Sequence, residues 1–372
     1  MSFNHKKTTK SSIVFLLPSL GGGGSERVFL NLCKQIDKSK FNVILCLLAK
    51  KGEFVSFLEN ETGFEVHDLG VSRVRYAILP IVKYVRKTKP DILFSTLGHL
   101  NALLGAISFI FPSKVKLVAR ESNMISKVNH HGITILFYKL FYKNFDRIVV
   151  QSSDMETDLK RIVQNLGPNQ IVKINNPVDF NTVFELKESC EQLLPTGKIN
   201  LISVGSLTHQ KGYDMLLDSF SKFRNKDNYH LTILGDGELK NKLKAHAIKL
   251  DLSANISFKG FQDNPYQFMA QADLFISSSR FEGFPNVVLE TLMCDTPVVA
   301  NNYKGGINEI IETSIYGEII DITDSIEFEK VCENLTSIEL PPKTLSNMVK
   351  ERFGIEKITI EFENLFSLLL TE

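Results

Sequence analysis

Long apolar runs, cysteines in ligand spacing and net charge are all scarce in this 372-residue chain. The longest apolar stretch, Leu103 to Pro112, is too short to cross a bilayer, which takes about 20 residues. The cysteines (Cys33, Cys46, Cys190, Cys294 and Cys332) are scattered and odd in number. None has metal-ligand spacing, which argues for reduced cytosolic thiols over a disulfide framework. Lys6, Lys7 and Lys10 ahead of IVFLLPSL imitate a secretion signal. That apolar core is short and runs straight into GGGGSER, so it reads instead as a first buried strand, after a polar, disordered start over residues 1–10.

What is present is ordinary in bulk: 43% apolar and 23% charged residues, and length enough for two domains. The net charge of +1 hides an asymmetry. Residues 1–178 hold 25 Lys and Arg against 13 Asp and Glu, and residues 179–372 hold 18 against 29. The first half is therefore expected to face something anionic, nucleic acid or an anionic membrane surface being the general candidates.

The most informative stretch is DLFISSSRFEGFPNVVLETLMCDTPVVA, residues 273–300. Two strand-length apolar runs flank a helically spaced VVLETLM, so the strands should be parallel and the helix a crossover. The loop Ser279 to Pro285 leaves the carboxyl end of the first strand, where open α/β sheets bind ligands. Pro285 suits a first helical position, and the N–H groups of Asn286, Val287 and Val288 then form an anion site at the helix mouth. Glu282 lies before the helix and Glu290 about a turn and a half inside it. A carboxylate accepts two hydrogen bonds, enough to hold a sugar or ribose diol. A phosphate at the helix start between two such carboxylates describes a nucleotide sugar.

Upstream, INLISVGSLTHQKG gives strand, glycine loop (Gly205, Ser206) and Lys211 as a point charge for a diphosphate, before a helix near Tyr213. HLTILGDGELKNKL repeats the pattern with Gly235. Near the amino terminus Gly21 to Gly24, including Gly22 and Gly23, let backbone N–H groups approach an anion. Strands are expected at FNVILCLLA, DILFSTL, VKLVARES and DRIVVQS, the third ending in Arg120 and Glu121. A helix is expected from a cap at Ser153 or Asp154. Two basic amphipathic helical segments, 73–89 and 133–147, fit either a lipid interface or a core helix with a solvated basic face, so membrane contact rests mainly on the charge of the first half; the second segment interleaves Tyr138, Phe141 and Tyr142 with Lys139 and Lys143. The Asn176-Pro177 step and the low-periodicity stretch 179–197 mark the domain linker.

SRFEGFPNVVLETLMCDTPVVA, together with GGGGSERVFLNL, NNPVD, VGSLTHQKG and GGINEII, resembles glycosyltransferase family 4 over most of the chain. The resemblance implies an α/β fold of the GT-B type: two Rossmann-like doubly wound domains facing each other across a cleft. Residues 1–178 would bind acceptor and 179–354 nucleotide sugar, with a terminal helix at about 355–372 packing back on the first domain. It implies a retaining transfer of sugar, N-acetylhexosamine or galactose, from a UDP-sugar, GDP-mannose being the alternative. The implied acceptor is a polyprenyl-diphosphate-linked glycan of bacterial surface polysaccharide (capsule or O-antigen). The enzyme would be cytoplasmic and held peripherally at the inner face of the membrane through its basic first domain.

Residue by residue, the resemblance gives catalytic roles to Glu282, Lys211 and Glu121. Donor contacts fall on Gly22, Gly23, Gly205, Ser206, Lys211, Gly235, Phe261, Glu282, Gly283, Phe284, Pro285, Asn286, Val287 and Glu290. Arg120 and Glu121 lie on the acceptor side. The family commonly has arginine where this chain has Ser206, so one guanidinium clamp is missing, and the candidates to stand in for it are the Ser206 hydroxyl, Arg280 and Arg27. No DxD motif is present, so neither metal nor cofactor is expected, and the diphosphate charge falls to Lys211, helix dipoles and backbone N–H groups. A non-catalytic sugar-binding relative would lose the paired acids or Lys211. A dehydrogenase would need G-x-G-x-x-G and an acid about twenty residues on, which fit only loosely. Nucleic acid is not an expected partner, since no binding module is recognised.

Overall fold

The computed structural model describes residues 10–59, 61–128, 132–188, 191–339 and 341–372. The expectations for residues 1–9, with Lys6 and Lys7, and for Cys190 lie outside the described residues. The chain divides into two compact units, Met1–Asn175 with Ile355–Glu372, and Asn176–Gly354.

In the first unit, seven strands form one sheet: β1 Ser11–Leu17, β2 Phe41–Leu47, β3 Glu65–Asp68, β4 Ile92–Thr96, β5 Lys116–Arg120, β6 Arg147–Val150 and β7 Ile171–Lys173. Their order is β3-β2-β1-β4-β5-β6-β7, with every pairing parallel. The second sheet holds β8 Ile199–Val204, β9 Tyr229–Leu234, β10 Ile256–Gly260, β11 Leu274–Ser277, β12 Val298–Asn301 and β13 Gly317–Ile320. It is ordered β10-β9-β8-β11-β12-β13 and is likewise parallel. Both are doubly wound Rossmann-like sheets whose strand order reverses between the first and fourth strands.

Strand β1 shows why such strands read as unbroken apolar runs. Side chains alternate between faces. Ile13, Phe15 and Leu17 enter one core and Val14 and Leu16 the other, so both faces are covered. The helix Ile355–Thr371 closes the first of these cores, placing Ile358, Phe362, Leu365, Phe366 and Leu369 against Phe15, Phe29 and Phe94. Its Glu363 accepts hydrogen bonds from the Asp37 N–H at 2.8 Å and Lys40 Nζ at 3.1 Å.

Several local expectations change. The stretch 179–197 contains a helix, Phe180–Leu186, whose cap Asp179 accepts from the Thr182 N–H at 3.2 Å. Ser152, not Ser153 or Asp154, caps the helix Ser153–Ile162. Segment 133–147 is helical only to Phe141 and then turns into β6. Tyr138 and Tyr142 are fully buried, so these rings belong to the core and not to a lipid face. In segment 73–89 the regular helix is Ile78–Thr88; Ile81 and Val85 point inward, while Tyr76, Ile78 and Leu79 are exposed.

Candidate active site

The chemistry-bearing residues of the second unit gather where β8 meets β11, beyond the carboxyl ends of both strands. The loop after β8 carries Gly205, Ser206 and Lys211, and the loop after β11 carries Ser278 to Pro285. The two are stitched together. The Arg280 N–H donates to the Gln210 carbonyl at 2.8 Å, and Ser278 Oγ to the Lys211 carbonyl at 2.8 Å. Gly212, at φ +65°, lets them close: a Cβ there would lie 2.1 Å from the Ser278 carbonyl oxygen.

At the seam Lys211 Nζ reaches Glu282 Oε1 at 2.7 Å. Ser279 Oγ donates to the same oxygen at 2.7 Å, and Gln210 Nε2 donates to Oε2 at 2.9 Å. Glu282 is buried to 7% exposure. A buried carboxylate is tolerated here because a cation and two neutral donors replace its water. Its backbone is anchored too, the Glu282 N–H donating to the Lys304 carbonyl at 3.1 Å. Gly305, at φ +117°, allows that approach, since a Cβ would fall 1.8 Å from the Glu282 carbonyl oxygen. The two groups expected to serve different parts of a ligand therefore share one ion pair. Gln210 and Ser279 were not singled out in the sequence; polar loop residues next to Lys211 and Glu282 were the available signal.

The helix after this loop runs Asn286–Met293, with Pro285 at the capping position and not inside the first turn. The Val288 N–H donates to the Pro285 carbonyl at 3.0 Å, so the helix mouth offers the amides of Asn286 and Val287, not three. Asn286 Oδ1 accepts from Asn176 Nδ2 at 2.7 Å; Asn176, read from sequence only as part of an extended crossing, orients the helix mouth. Glu290 is half-buried on this helix, and Gly283 and Pro285 are buried in the loop. Phe284 is 6% exposed, its ring in the core against Phe353 and Gly306, so its side chain does not face a ligand.

Other expected donor residues differ in kind. Ser206 is exposed on its loop. The Arg280 guanidinium forks onto Asp214, at 2.8 and 2.6 Å, and donates to the His209 carbonyl at 2.8 Å. Arg27 lies in the first unit, its guanidinium over the Phe54 ring. Gly235 packs backbone on backbone, a Cβ there falling 2.1 Å from the Gly205 carbonyl oxygen. Phe261, 61% exposed, stands on the loop after β10.

In the first unit the Gly21–Gly24 loop is not an open anion cradle. A Cβ on Gly22 would lie 2.3 Å from Glu53 Oε2, and one on Gly23 2.5 Å from Glu26 Oε2. Two carboxylates beside this loop oppose a phosphate. Glu26 was visible inside GGGGSER itself. Burial pushes its carboxyl above the ordinary value, with the Arg120 charge opposing. Arg120 is buried to 1% exposure; burial draws its guanidinium down to about 10, while the charges of Glu121 and Glu26 raise it. Glu121 is 3% exposed and accepts from Asn101 Nδ2 at 2.9 Å, Tyr138 Oη at 3.3 Å and Tyr142 Oη. Both carboxylate oxygens of Glu121 are engaged in this buried network, and the Arg120 guanidinium is buried beside it. Among the described residues, no group of three His, Cys, Asp or Glu could hold a metal ion.

Comparison with known proteins agrees with this architecture. The glycosyltransferase family 4 model matches residues 22–182, and the glycosyl transferases group 1 model matches residues 185–352. A Campylobacter jejuni N-acetylgalactosaminyltransferase that acts on N-acetylgalactosamine-N,N'-diacetylbacillosaminyl-diphospho-undecaprenol is 28% identical, covering 94% of this chain and 97% of that one. The Rhizobium meliloti lipopolysaccharide core glycosyltransferase LpsE is 24% identical over 85% of this chain and 86% of its own. Anabaena HepE, solved in complex with UDP and glucose, superposes with a TM-score of 0.79 at 20% identity, covering 96% of this chain and 99% of that chain. With one model on each half and these relatives along its length, the chain belongs to glycosyltransferase family 4.

Proposed function

We propose that this glycosyltransferase moves an N-acetylhexosamine or galactose from a UDP-sugar to a hydroxyl of a polyprenyl-diphosphate-linked glycan, with retention and without a metal. The observation that carries the reading is the Lys211–Glu282 pair beside the mouth of helix Asn286–Met293. A diphosphate at this mouth draws on the Lys211 charge and the helix amides as its own charge grows in the transition state. Glu282, released from Lys211, accepts from donor-sugar hydroxyls, and Glu290 accepts from the ribose diol. The bond from the anomeric carbon to the diphosphate oxygen breaks, and the acceptor oxygen bonds on the same face. The acceptor proton passes to the departing phosphate oxygen.

The Campylobacter relative's diphospho-undecaprenol acceptor supports the lipid-linked part, and UDP in HepE supports a uridine nucleotide. We assign acceptor recognition to the first unit, at the inner face of the membrane. From residue 69 to residue 90 the sequence has six basic residues and no acid. In this stretch Tyr76, Ile78 and Leu79 are exposed beside Lys83, Arg86 and Lys87, a pairing of apolar and basic groups that suits anionic lipid. Among the described residues, no helix is long and apolar enough to cross a membrane.

The test is a panel of UDP- and GDP-sugars with polyprenyl-diphosphate glycan, run with and without chelator and followed by linkage analysis. Transfer from UDP-N-acetylhexosamine or UDP-galactose, unaffected by chelator and giving an α linkage, is expected. Transfer from GDP-mannose alone, or inversion, overturns the donor or mechanism assignment. Sedimentation with anionic vesicles at rising salt reads the membrane part, which absence of binding at low salt overturns.

A further inference from the structure

Two residues that bracket the Lys211–Glu282 pair are themselves joined. Asp214 is three positions after Lys211, in the first turn of helix Tyr213–Phe220, and Arg280 is two positions before Glu282. Arg280 Nη1 and Nη2 donate to the two Asp214 oxygens at 2.8 and 2.6 Å. Nη1 also donates to the His209 carbonyl at 2.8 Å, and the Arg280 N–H to the Gln210 carbonyl at 2.8 Å. One arginine thus fastens the β11 loop to two consecutive features of the β8 loop: the turn His209–Lys211, through its His209 and Gln210 carbonyls, and the helix that follows, through Asp214. Gln210, held by its own carbonyl, then turns its side chain onto Glu282.

We propose that Asp214 and Arg280 are positioning residues that keep Lys211 in register with Glu282, and that Arg280 does not bind the donor diphosphate. The Arg280 guanidinium donates three hydrogen bonds, two to Asp214 and one to the His209 carbonyl, where Lys211 makes its ion pair through one ammonium group. The two-pronged geometry fixes direction as well as distance, which a lysine cannot reproduce. Most exposed ion pairs contribute little. This one adds two backbone contacts, and its value lies in placement: an error of about 1 Å at a reacting group can cost about 100-fold in rate.

The kinetic arm rests on the transferase reading above. It uses the full chain with Asp214→Asn, Arg280→Gln, Arg280→Lys and the Asp214→Asn/Arg280→Gln double variant. Each single change is expected to lower kcat about 10- to 100-fold. UDP affinity by calorimetry is expected to fall alike in Asp214→Asn and Arg280→Gln, and by less than kcat falls, because both act only through Lys211. The double variant should fall no further than the worse single one, and Arg280→Lys should not rescue. Loss of UDP affinity in Arg280→Gln with a wild-type Asp214→Asn would make Arg280 a phosphate ligand and overturn the proposal. So would unchanged kcat in Asp214→Asn and Arg280→Gln, or a lowered melting temperature with kcat intact, which marks a merely structural pair. If the parent protein transfers no sugar, the transferase reading fails on its own. The fork is then read from the same four proteins by thermal unfolding, where additive effects overturn it.

Discussion

Lys211 and Glu282 neutralise each other across 2.7 Å, and whatever binds at this seam must offer both of them something better. A diphosphate competes for the lysine with more charge than one carboxylate carries, and a sugar diol supplies donors that replace part of what the carboxylate then loses. Glu282→Gln removes the charge while keeping an acceptor, and is expected to lower kcat about 100- to 1,000-fold, the scale seen when one transition-state partner is lost. UDP affinity should stay within a few-fold, because the amides of Asn286 and Val287 and Lys211 remain. Initial rates with parallel UDP calorimetry decide it; turnover at the parent rate removes Glu282 from the reaction. Glu121 makes the opposite case. Burial raises its carboxyl above 4.5, against hydrogen bonds from Tyr142, Asn101 and Tyr138 and the Arg120 charge, which lower it. The folded chain therefore holds this proton more tightly than the unfolded chain. The stabilisation is complete below the ordinary carboxyl value and is lost as pH rises through the raised folded value. Melting curves of the parent and Glu121→Gln across pH 4 to 8 should show the parent losing ground to the variant as pH rises from about 4. The reverse slope would mean that the carboxylate is held charged by Arg120.

The loops after β8, β9 and β10 are packed through their glycines, and this is an element-scale property. Gly235, at φ +127°, brings its backbone against Gly205, and its N–H donates to the Gly260 carbonyl at 2.7 Å. Gly235→Ala adds both a disfavoured conformation and a clash, so it should destabilise the second unit by about 1–3 kcal/mol or more. Urea unfolding measures this; a variant of parent stability but weak for UDP would instead make Gly235 a ligand contact. The same elements show what a sequence can carry. Strands buried on both faces, such as β1, β4, β8 and β11, are mostly apolar on both faces, with only small polar residues such as Ser95, Asn200 and Ser203 between, and were legible. The exposed EVHD of β3 has no such signal, because an edge strand is held by its neighbour's backbone and not by its own burial. Helix Phe180–Leu186 was hidden for a related reason. Its Phe180 and Phe184 rings stack 5.5 Å apart and take Lys350 and Lys343 on their faces, contacts from far along the chain. At the site, Lys211 and Glu282 were legible one at a time from their loops. Their pairing was not, nor was the diversion of Arg280 to Asp214, since both depend on β8 lying beside β11. At the glycine run near the amino terminus backbone freedom was visible, whereas the Glu53 carboxylate beside Gly22 comes from a distant turn.

On the scale of the whole molecule, the first unit is made from both ends of the chain, and this has a consequence for folding. Helix Ile355–Thr371 supplies five buried apolar side chains to the face of the sheet that also holds Phe15, Phe29 and Phe94. Phe366 alone has ring neighbours Phe94 at 5.5 Å, Phe362 at 6.0 Å, and Phe15 and Phe41 at 6.4 Å. At roughly 1.5–3 kcal/mol per buried side chain, the gross contribution is on the order of 10 kcal/mol before the helix is ordered. That rivals the entire net stability of a typical domain, roughly 5–15 kcal/mol. A fragment ending at residue 175 should therefore fail to fold cooperatively, although it contains all seven strands of its sheet. Joining residues 355–372 to it through a flexible linker should restore a sigmoidal urea transition followed by far-UV circular dichroism. Carrying Phe366→Ala into the joined form should cost about 3–5 kcal/mol of what is regained. If the fragment without the helix unfolds at the same urea midpoint as the joined form, the returning helix is only a cover on a sheet that is stable by itself. The coupling between chain end and first unit would then have no energetic content.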